Sequence, residues 1–191
     1  MTPRRLVVGI SGASAPIYGI RTLELLRDVP DVETHLVYTR TAERTIALET
    51  GRTLDDICGL ADVVYRPEQM EAAVSSGSFQ TIGMLIAPCS INTLSSIAAS
   101  FTKDLLTRAA DVTLKEKRAL VLMLRESPLH LGHLRRMVEA AEIGATIAPP
   151  IPSFYHRPRS IDDLINHSIG RTLSLLGIEL PSLKRWETPE D

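Results

Sequence analysis

Leu6-Val7-Val8-Gly9-Ile10, followed by Ser11-Gly12-Ala13-Ser14-Ala15-Pro16-Ile17-Tyr18-Gly19, is the stretch that decides the fold. An apolar run that stops abruptly at small residues, with a helix start beyond them, reads as a buried parallel strand feeding a strand-turn-helix unit. The turn is where an anion would sit, because the unpaired N–H groups at a helix N-terminus lie at the positive end of the helix dipole. By itself the motif is unspecific, since a small-residue turn of this kind opens many doubly wound proteins.

Outward from that turn the same alternation of strand and helix continues. Ile17, Ile20 and Leu23 recur at helical spacing, so a helix is expected from Pro16 to about Arg27, with Pro16 suited to a first helical turn. Val32 to Tyr38 alternates as a strand, Ala42 to Thr50 reads as a short helix, Leu54 to Leu60 as another, and Val63 to Tyr65 as a short strand, before a loop at Ser75-Ser76-Gly77-Ser78. Thr81 to Ala87 is a buried strand ending in Pro88-Cys89-Ser90-Ile91-Asn92-Thr93, a second polar strand-to-helix turn in which Ser90 suits a helix cap. A helix over Leu105 to Lys117, a strand over Ala119 to Leu124, a helix over Leu131 to Ile143 and a strand over Ala145 to Ala148 follow. Pro149 through Pro158 is a proline-stiffened loop, and Ser160 with Asp162 and Asp163 starts a last long helix that ends at Gly177. The pattern predicts an α/β fold: a single-domain, Rossmann-like (flavodoxin-like) doubly wound parallel sheet over residues 1–180, with a C-terminal tail, 181–191, that carries Trp186.

The 191 residues suffice for one such domain, and a net charge of −2 gives no general reason to expect nucleic-acid binding. No apolar run reaches membrane-spanning length and nothing at the start resembles a signal peptide, so the expected location is cytoplasmic. Cys58 and Cys89 lack metal-ligand spacing and read as free thiols.

In an open parallel sheet, ligands bind beyond the carboxyl ends of the strands. Polar residues gather there in the sequence: Ser14 after the first strand, Thr39 after the second, Ser90, Asn92 and Thr93 after the fourth, Arg125 and Glu126 after the fifth. The first and third of these turns suit a flavin or nucleotide phosphate, and the Arg125 fork suits an anion. Glu49 stands at a helix C-terminus, where a carboxylate is unfavourable, which singles it out although a solvated terminal Glu is the plainer reading. Taken singly, Arg108, Lys115 and Arg171 read as surface charges and Tyr155 as a packed aromatic.

Several spaced segments, taken together, resemble the flavin prenyltransferase (UbiX-type) family. They are Gly9-Ile10-Ser11-Gly12-Ala13-Ser14, Pro88 through Thr93, Arg108-Ala109-Ala110-Asp111-Val112, Leu114-Lys115-Glu116, Arg125 through Leu134, and Pro149 through Pro158. The resemblance runs over nearly the whole chain. It implies transfer of a dimethylallyl group from dimethylallyl monophosphate to N5 and C6 of reduced FMN, without a metal, giving prenylated FMN for a UbiD-type decarboxylase. It implies FMN contacts at Gly12, Ala13, Ser14, Thr39, Ser90, Ile91, Asn92, Thr93 and Arg125. Ser14, Glu49, Lys115, Glu126, Tyr155 and Arg171 would be catalytic, with Arg108, Lys115, Arg125, Tyr155, Arg171 and Trp186 around the prenyl phosphate. Family members assemble as dodecamers, so Trp186 is expected to close onto a neighbouring subunit's site.

The chemistry is coherent with those residue types. Departure of phosphate from an allylic carbon develops negative charge on oxygen, which fixed cations stabilise, and a carboxylic acid such as Glu126 can protonate the leaving oxygen. Glu49 or Ser14 is suited to removing the proton from flavin C6.

Three departures from the family pattern stand out. Ala15-Pro16 replaces Gly-Ala, and both steps disfavour a positive φ at Ala15, so the turn is expected to survive with FMN binding altered. Thr39 replaces Ser and keeps the hydroxyl. Asn92 stands where Lys is common, removing a charge near the flavin. Two other readings compete: a flavin-dependent cysteine decarboxylase, whose Pro-x-Met-Asn segment has no match in Pro-Ile-Pro-Ser-Phe-Tyr, and a non-enzymatic flavin carrier, which would not need the phosphate-binding set.

Overall fold

The computed structural model describes residues 3–181, 183 and 185. Six strands form one parallel sheet: β1 (Arg4–Ile10), β2 (Val32–Tyr38), β3 (Val63–Tyr65), β4 (Gly83–Cys89), β5 (Ala119–Leu124) and β6 (Ala145–Ile147), in the order β3-β2-β1-β4-β5-β6. Seven helices connect and follow them: α1 (Ile17–Leu26), α2 (Arg40–Thr50), α3 (Leu54–Cys58), α4 (Ile91–Ala98), α5 (Leu105–Lys115), α6 (Leu131–Glu142) and α7 (Ile161–Ser174). The doubly wound α/β architecture is the one expected.

Alternation along the buried strands divides the core in two. Leu6, Val8 and Ile10 of β1 face Ile20 and Leu23 of α1 and Ile169 and Leu173 of α7. Val7, with Met84 and Ile86 of β4 and Leu122 of β5, faces Leu94 of α4, Leu106 and Ala110 of α5 and Ala140 of α6. A period of two along each strand requires this division, because successive side chains leave opposite faces of the sheet. Gly19 lets α1 approach β4 closely: a Cβ there would lie 2.2 Å from the carbonyl oxygen of Ala87.

The chain winds outward from β1 to β3, then returns to place β4 on the other side of β1, so the topological switch falls between β1 and β4. Ser11 ties the two strand ends together. Its buried hydroxyl donates to the Pro88 carbonyl at 2.8 Å and accepts the Ser90 N–H at 2.7 Å.

Two expectations need correction. The fourth strand runs over Gly83–Cys89 rather than Thr81 to Ala87. Pro88 lies inside it, and the pairing with β5 shifts between Ile86 and Cys89, as a residue without a ladder N–H requires. Ala15 adopts φ +66 despite its Cβ and the proline that follows. A hydrogen bond from its N–H to Glu49 holds that geometry, and Pro16, at φ −58, leads into α1.

Candidate functional site

A cavity of about 720 Å³ opens at the carboxyl ends of the strands, over the switch point. It is lined by Gly12, Ala13 and Ser14 after β1, Thr39 with Arg40 and Thr41 after β2, Ser90 to Thr93 after β4, and Arg125 and Glu126 after β5. All nine residues expected to contact FMN therefore converge on one space, together with Glu126.

The local reasons are legible residue by residue. Gly12 is the only type that fits its place, because a Cβ there would meet Thr41 Cβ at 2.4 Å. The close packing of α2 against the turn thus requires glycine there. Ser90 caps α4: its hydroxyl accepts the Thr93 N–H at 3.2 Å and donates to Thr93 Oγ1 at 3.0 Å. The plain capping reading of Ser90 is correct, and the cap also lines the cavity. Thr39 precedes α2 without capping it, and its Oγ1 is buried without a hydrogen-bond partner among the described residues. A buried hydroxyl left unpaired costs about 1–3 kcal/mol, so its place at the cavity edge is what a site for a polar ligand requires. The unpaired hydroxyl, the small-residue turn from Gly12 to Ser14 on the lining and the N-terminus of α4 fit a flavin mononucleotide.

Glu49 does not line the cavity; it acts on the turn from behind. From the last turn of α2 its Oε2 accepts the Ala15 N–H at 2.7 Å and the Ser14 hydroxyl at 3.1 Å. The helix-end carboxylate that looked misplaced in the sequence is thus held by the first turn.

The expected phosphate set is divided. Tyr155 and Arg171 come together in a separate cavity of about 230 Å³, bounded by Met123 of β5 and Ala148 beyond β6. Arg108 and Lys115 are brought to neither cavity within one protomer. α5 starts at the main cavity, with Lys103 and Asp104 on its lining, and runs back along the sheet, so Lys115 lies about 15 Å further on. There it pairs with Glu116 at 2.5 Å, beside the loop at Gly77, while Arg108 pairs with Asp111 at 2.8 Å. Trp186 lies outside the described residues.

Sequence reasoning missed Lys103, whose ammonium contacts the Asn92 side-chain carbonyl on the cavity lining. It missed the exposed Arg40–Glu68 pair at the rim as well. Lys103 and Glu68 lie in a loop and a turn without apolar periodicity, and Arg40 is the exposed first residue of α2, so no periodic pattern marks them. Cys89, at the end of β4, is fully buried, and burial pushes its thiol far up, so it stays protonated and takes no part as a thiolate.

The family profile described as Flavoprotein matches residues 1–167. Flavin prenyltransferase UbiX of Escherichia coli K12 is 58% identical over 186 residues, covering 96% of this chain and 98% of that protein. Among solved structures, AnUbiX (PadA1) in complex with FMN and dimethylallyl pyrophosphate superposes with a TM-score of 0.95 at 46% identity, covering 98% of this chain and 100% of the other. A dodecameric FMN-dependent UbiX-like decarboxylase from E. coli O157:H7 follows at TM-score 0.93 and 43% identity, covering 96% of this chain and 100% of the other.

Proposed function

We infer the reaction from one premise: the chain belongs to the UbiX-type flavin prenyltransferases of the flavoprotein family. The enzyme transfers a dimethylallyl group from dimethylallyl phosphate to reduced FMN, and the product, prenylated FMN, serves a UbiD-type decarboxylase. The observation that carries this reading is the convergence of Ser14, Thr39, Ser90, Asn92 and Arg125 on one cavity in which the Thr39 hydroxyl has no partner among the described residues.

Gly12 to Ser14, Thr39, Ser90 to Thr93 and Arg125 hold FMN. Bound reduced FMN supplies N5 and C6 as the positions that accept the prenyl group. Arg125, at the rim between strand end and solvent, donates its planar fork to phosphate. Glu126, beside it on the lining, delivers a proton to the departing phosphate oxygen. Ser14 and Glu49 form a connected pair, and the Glu49 carboxylate takes up a proton passed through the Ser14 hydroxyl. Tyr155 and Arg171, in the smaller cavity apart from Arg125 and Glu126, bind the phosphate of a substrate seated in a neighbouring copy's main cavity and stabilise the negative charge that develops as the allylic C–O bond breaks.

Arg108 and Lys115 act on a neighbouring copy's site, since their own helix carries them away from the cavity. Two further features support assembly into a dodecamer like that of the E. coli O157:H7 structure. Leu131, Leu134 and Val138 form an exposed apolar stripe along α6, and only Ala140 of that helix is fully buried.

The deciding experiment is anaerobic incubation of the protein with reduced FMN and dimethylallyl monophosphate, followed by mass analysis of the flavin. Addition of one prenyl group is expected. Unchanged FMN, with dimethylallyl diphosphate also inert, overturns the reading.

A further inference from the structure

Lys115, read above as acting on a neighbouring copy's site, is held in place by a built floor. It is the last residue of α5, where the carbonyl end of the helix favours a cation. Its Nζ lies 2.5 Å from Glu116 Oε1. Sequence neighbours within a helix do not face each other. Glu116 has already left the helix, with φ −86 and ψ +8, and its carboxylate contacts the ammonium of the residue before it. That contact, with the Lys115 charge, holds the Glu116 carboxyl below its ordinary range.

The pair rests on Gly77. A Cβ there would fall on the Glu116 carboxylate and lie 2.7 Å from Lys115 Nζ. Gly77 is not at a left-handed φ, so its missing side chain serves the space above it rather than the backbone. The turn around Gly77 is fixed on its own account. The Phe79 N–H donates to the Ser76 carbonyl at 3.2 Å, and the Arg118 guanidinium donates to the carbonyls of Gly77 and Phe79, each at 2.7 Å. The Phe79 ring in turn lies under the Arg5 guanidinium at 4.8 Å and meets the His35 ring edge-on at 5.1 Å.

Stability does not account for such a floor under an exposed ion pair, which contributes little to folding. Ligand binding does. A lysine ammonium on its four-carbon stem loses rotamer freedom when an anion fixes it, and a lysine fixed beforehand spares the complex that cost. Glu116 takes one of the three ammonium donors and leaves two for phosphate oxygens. Lys115 and Arg118 together outweigh the one carboxylate, so the corner stays attractive to an anion.

We propose that Gly77 and Glu116 are positioning residues: the Gly77 turn, fixed by Arg118, and the Glu116 carboxylate hold the Lys115 ammonium ready for the phosphate of a substrate in a neighbouring copy's main cavity. The inference rests on the reading of Lys115 given above.

The test uses the full-length assembled protein loaded with oxidised FMN, which binds but does not react. Calorimetric titration with dimethylallyl monophosphate is compared across variants, alongside FMN affinity, urea unfolding, and KM and kcat with reduced FMN. Lys115→Met is expected to weaken binding of the monophosphate at least about tenfold. Gly77→Ala and Glu116→Leu each keep the ammonium but release it, and are expected to weaken binding about fivefold and to raise KM in parallel. Glu116→Gln, whose amide oxygen still accepts the ammonium, stays within about twofold of the parent. In a Lys115→Met background, Gly77→Ala and Glu116→Leu add less than about twofold. FMN affinity stays at the parent value throughout, because neither residue lines the main cavity. Parent-like binding by Gly77→Ala or Glu116→Leu overturns the proposal, as does a loss in Glu116→Gln as large as in Glu116→Leu. A full further loss in the Lys115→Met background, or a fall in FMN affinity in step with that for the monophosphate, also overturns it. Gly77→Ala displaces only the far ends of two side chains; should urea unfolding nonetheless show it misfolded, the Glu116 pair of variants decides by the same criteria. Parent-like binding by Lys115→Met overturns the reading of Lys115 and this inference with it, whereas a Lys115→Met loss with indifferent Gly77 and Glu116 variants overturns this inference alone.

Discussion

The Glu49 carboxylate accepts the backbone N–H of Ala15 at 2.7 Å, and Ala15 holds a left-handed φ of +66. An alanine in that region costs about 1–2 kcal/mol relative to a right-handed conformation, and glycine removes most of that cost. Ala15→Gly is therefore expected to stabilise the protein by about 1 kcal/mol in urea unfolding. A destabilised variant would show that the turn is not strained. FMN affinity of Ala15→Gly/Pro16→Ala, compared with the parent, measures how far the turn tunes the ligand; identical values remove any influence on binding.

Glu49→Gln separates the structural part of that contact from its chemistry. The amide oxygen still accepts the Ala15 N–H, so the turn and FMN binding are expected to persist. The variant has no carboxylate to take up a proton through Ser14, and turnover is expected to fall at least about 100-fold. Full activity with FMN bound would remove Glu49 from proton transfer.

Thr39→Val tests the unpaired hydroxyl with effects of opposite sign. Valine keeps the shape and removes a buried oxygen that lacks a partner among the described residues, so the ligand-free protein is expected to gain up to about 1 kcal/mol in thermal unfolding. FMN affinity, by fluorescence quenching, is expected to fall about tenfold. A variant that loses stability without ligand, or binds FMN as well as the parent, refutes this role.

Much of this architecture can be read from apolar runs. β2, β3 and β5 begin and end where their sequences predict, because a buried strand bounded by polar turns leaves little room for error. The cavity lining was legible for the same reason, as each lining turn directly follows a strand. What escaped depends on tertiary geometry. Ser11 looks like any small turn residue, yet it staples two strand ends. The positive φ of Ala15 depends on a carboxylate 34 residues away. The separation of Lys115 from the cavity follows from the direction of α5, which sequence spacing does not carry.

Acid stability is expected to depend on Asp62. The Thr34 backbone N–H donates to its carboxylate at 2.7 Å, as does the Thr34 hydroxyl, and these hold its pKa below the ordinary 3.8 against the opposing effect of desolvation. A depressed folded value means that the contribution is fully present above the unfolded value and is lost as pH falls through the folded one. Asp62→Asn should therefore flatten the decline of stability below about pH 4, measured by urea unfolding at stepped pH. An unchanged slope would exclude Asp62 as a contributor.

Lys103 is expected to carry the charge that Asn92 lacks. Its ammonium contacts the Asn92 carbonyl oxygen, and both side chains line the main cavity, so a cation reaches the same space from the start of α5 rather than from α4. The pair is exposed and therefore screened by salt, which gives the prediction its signature. Lys103→Met should weaken FMN binding about fivefold at low ionic strength, with the difference shrinking as salt is added. Asn92→Lys in the Lys103→Met background should restore the lost affinity by returning the cation to α4. Fluorescence titrations at two salt concentrations measure both effects. A salt-independent loss would assign Lys103 to packing, and failure of the second substitution to restore binding would show that the position of the charge matters more than its presence.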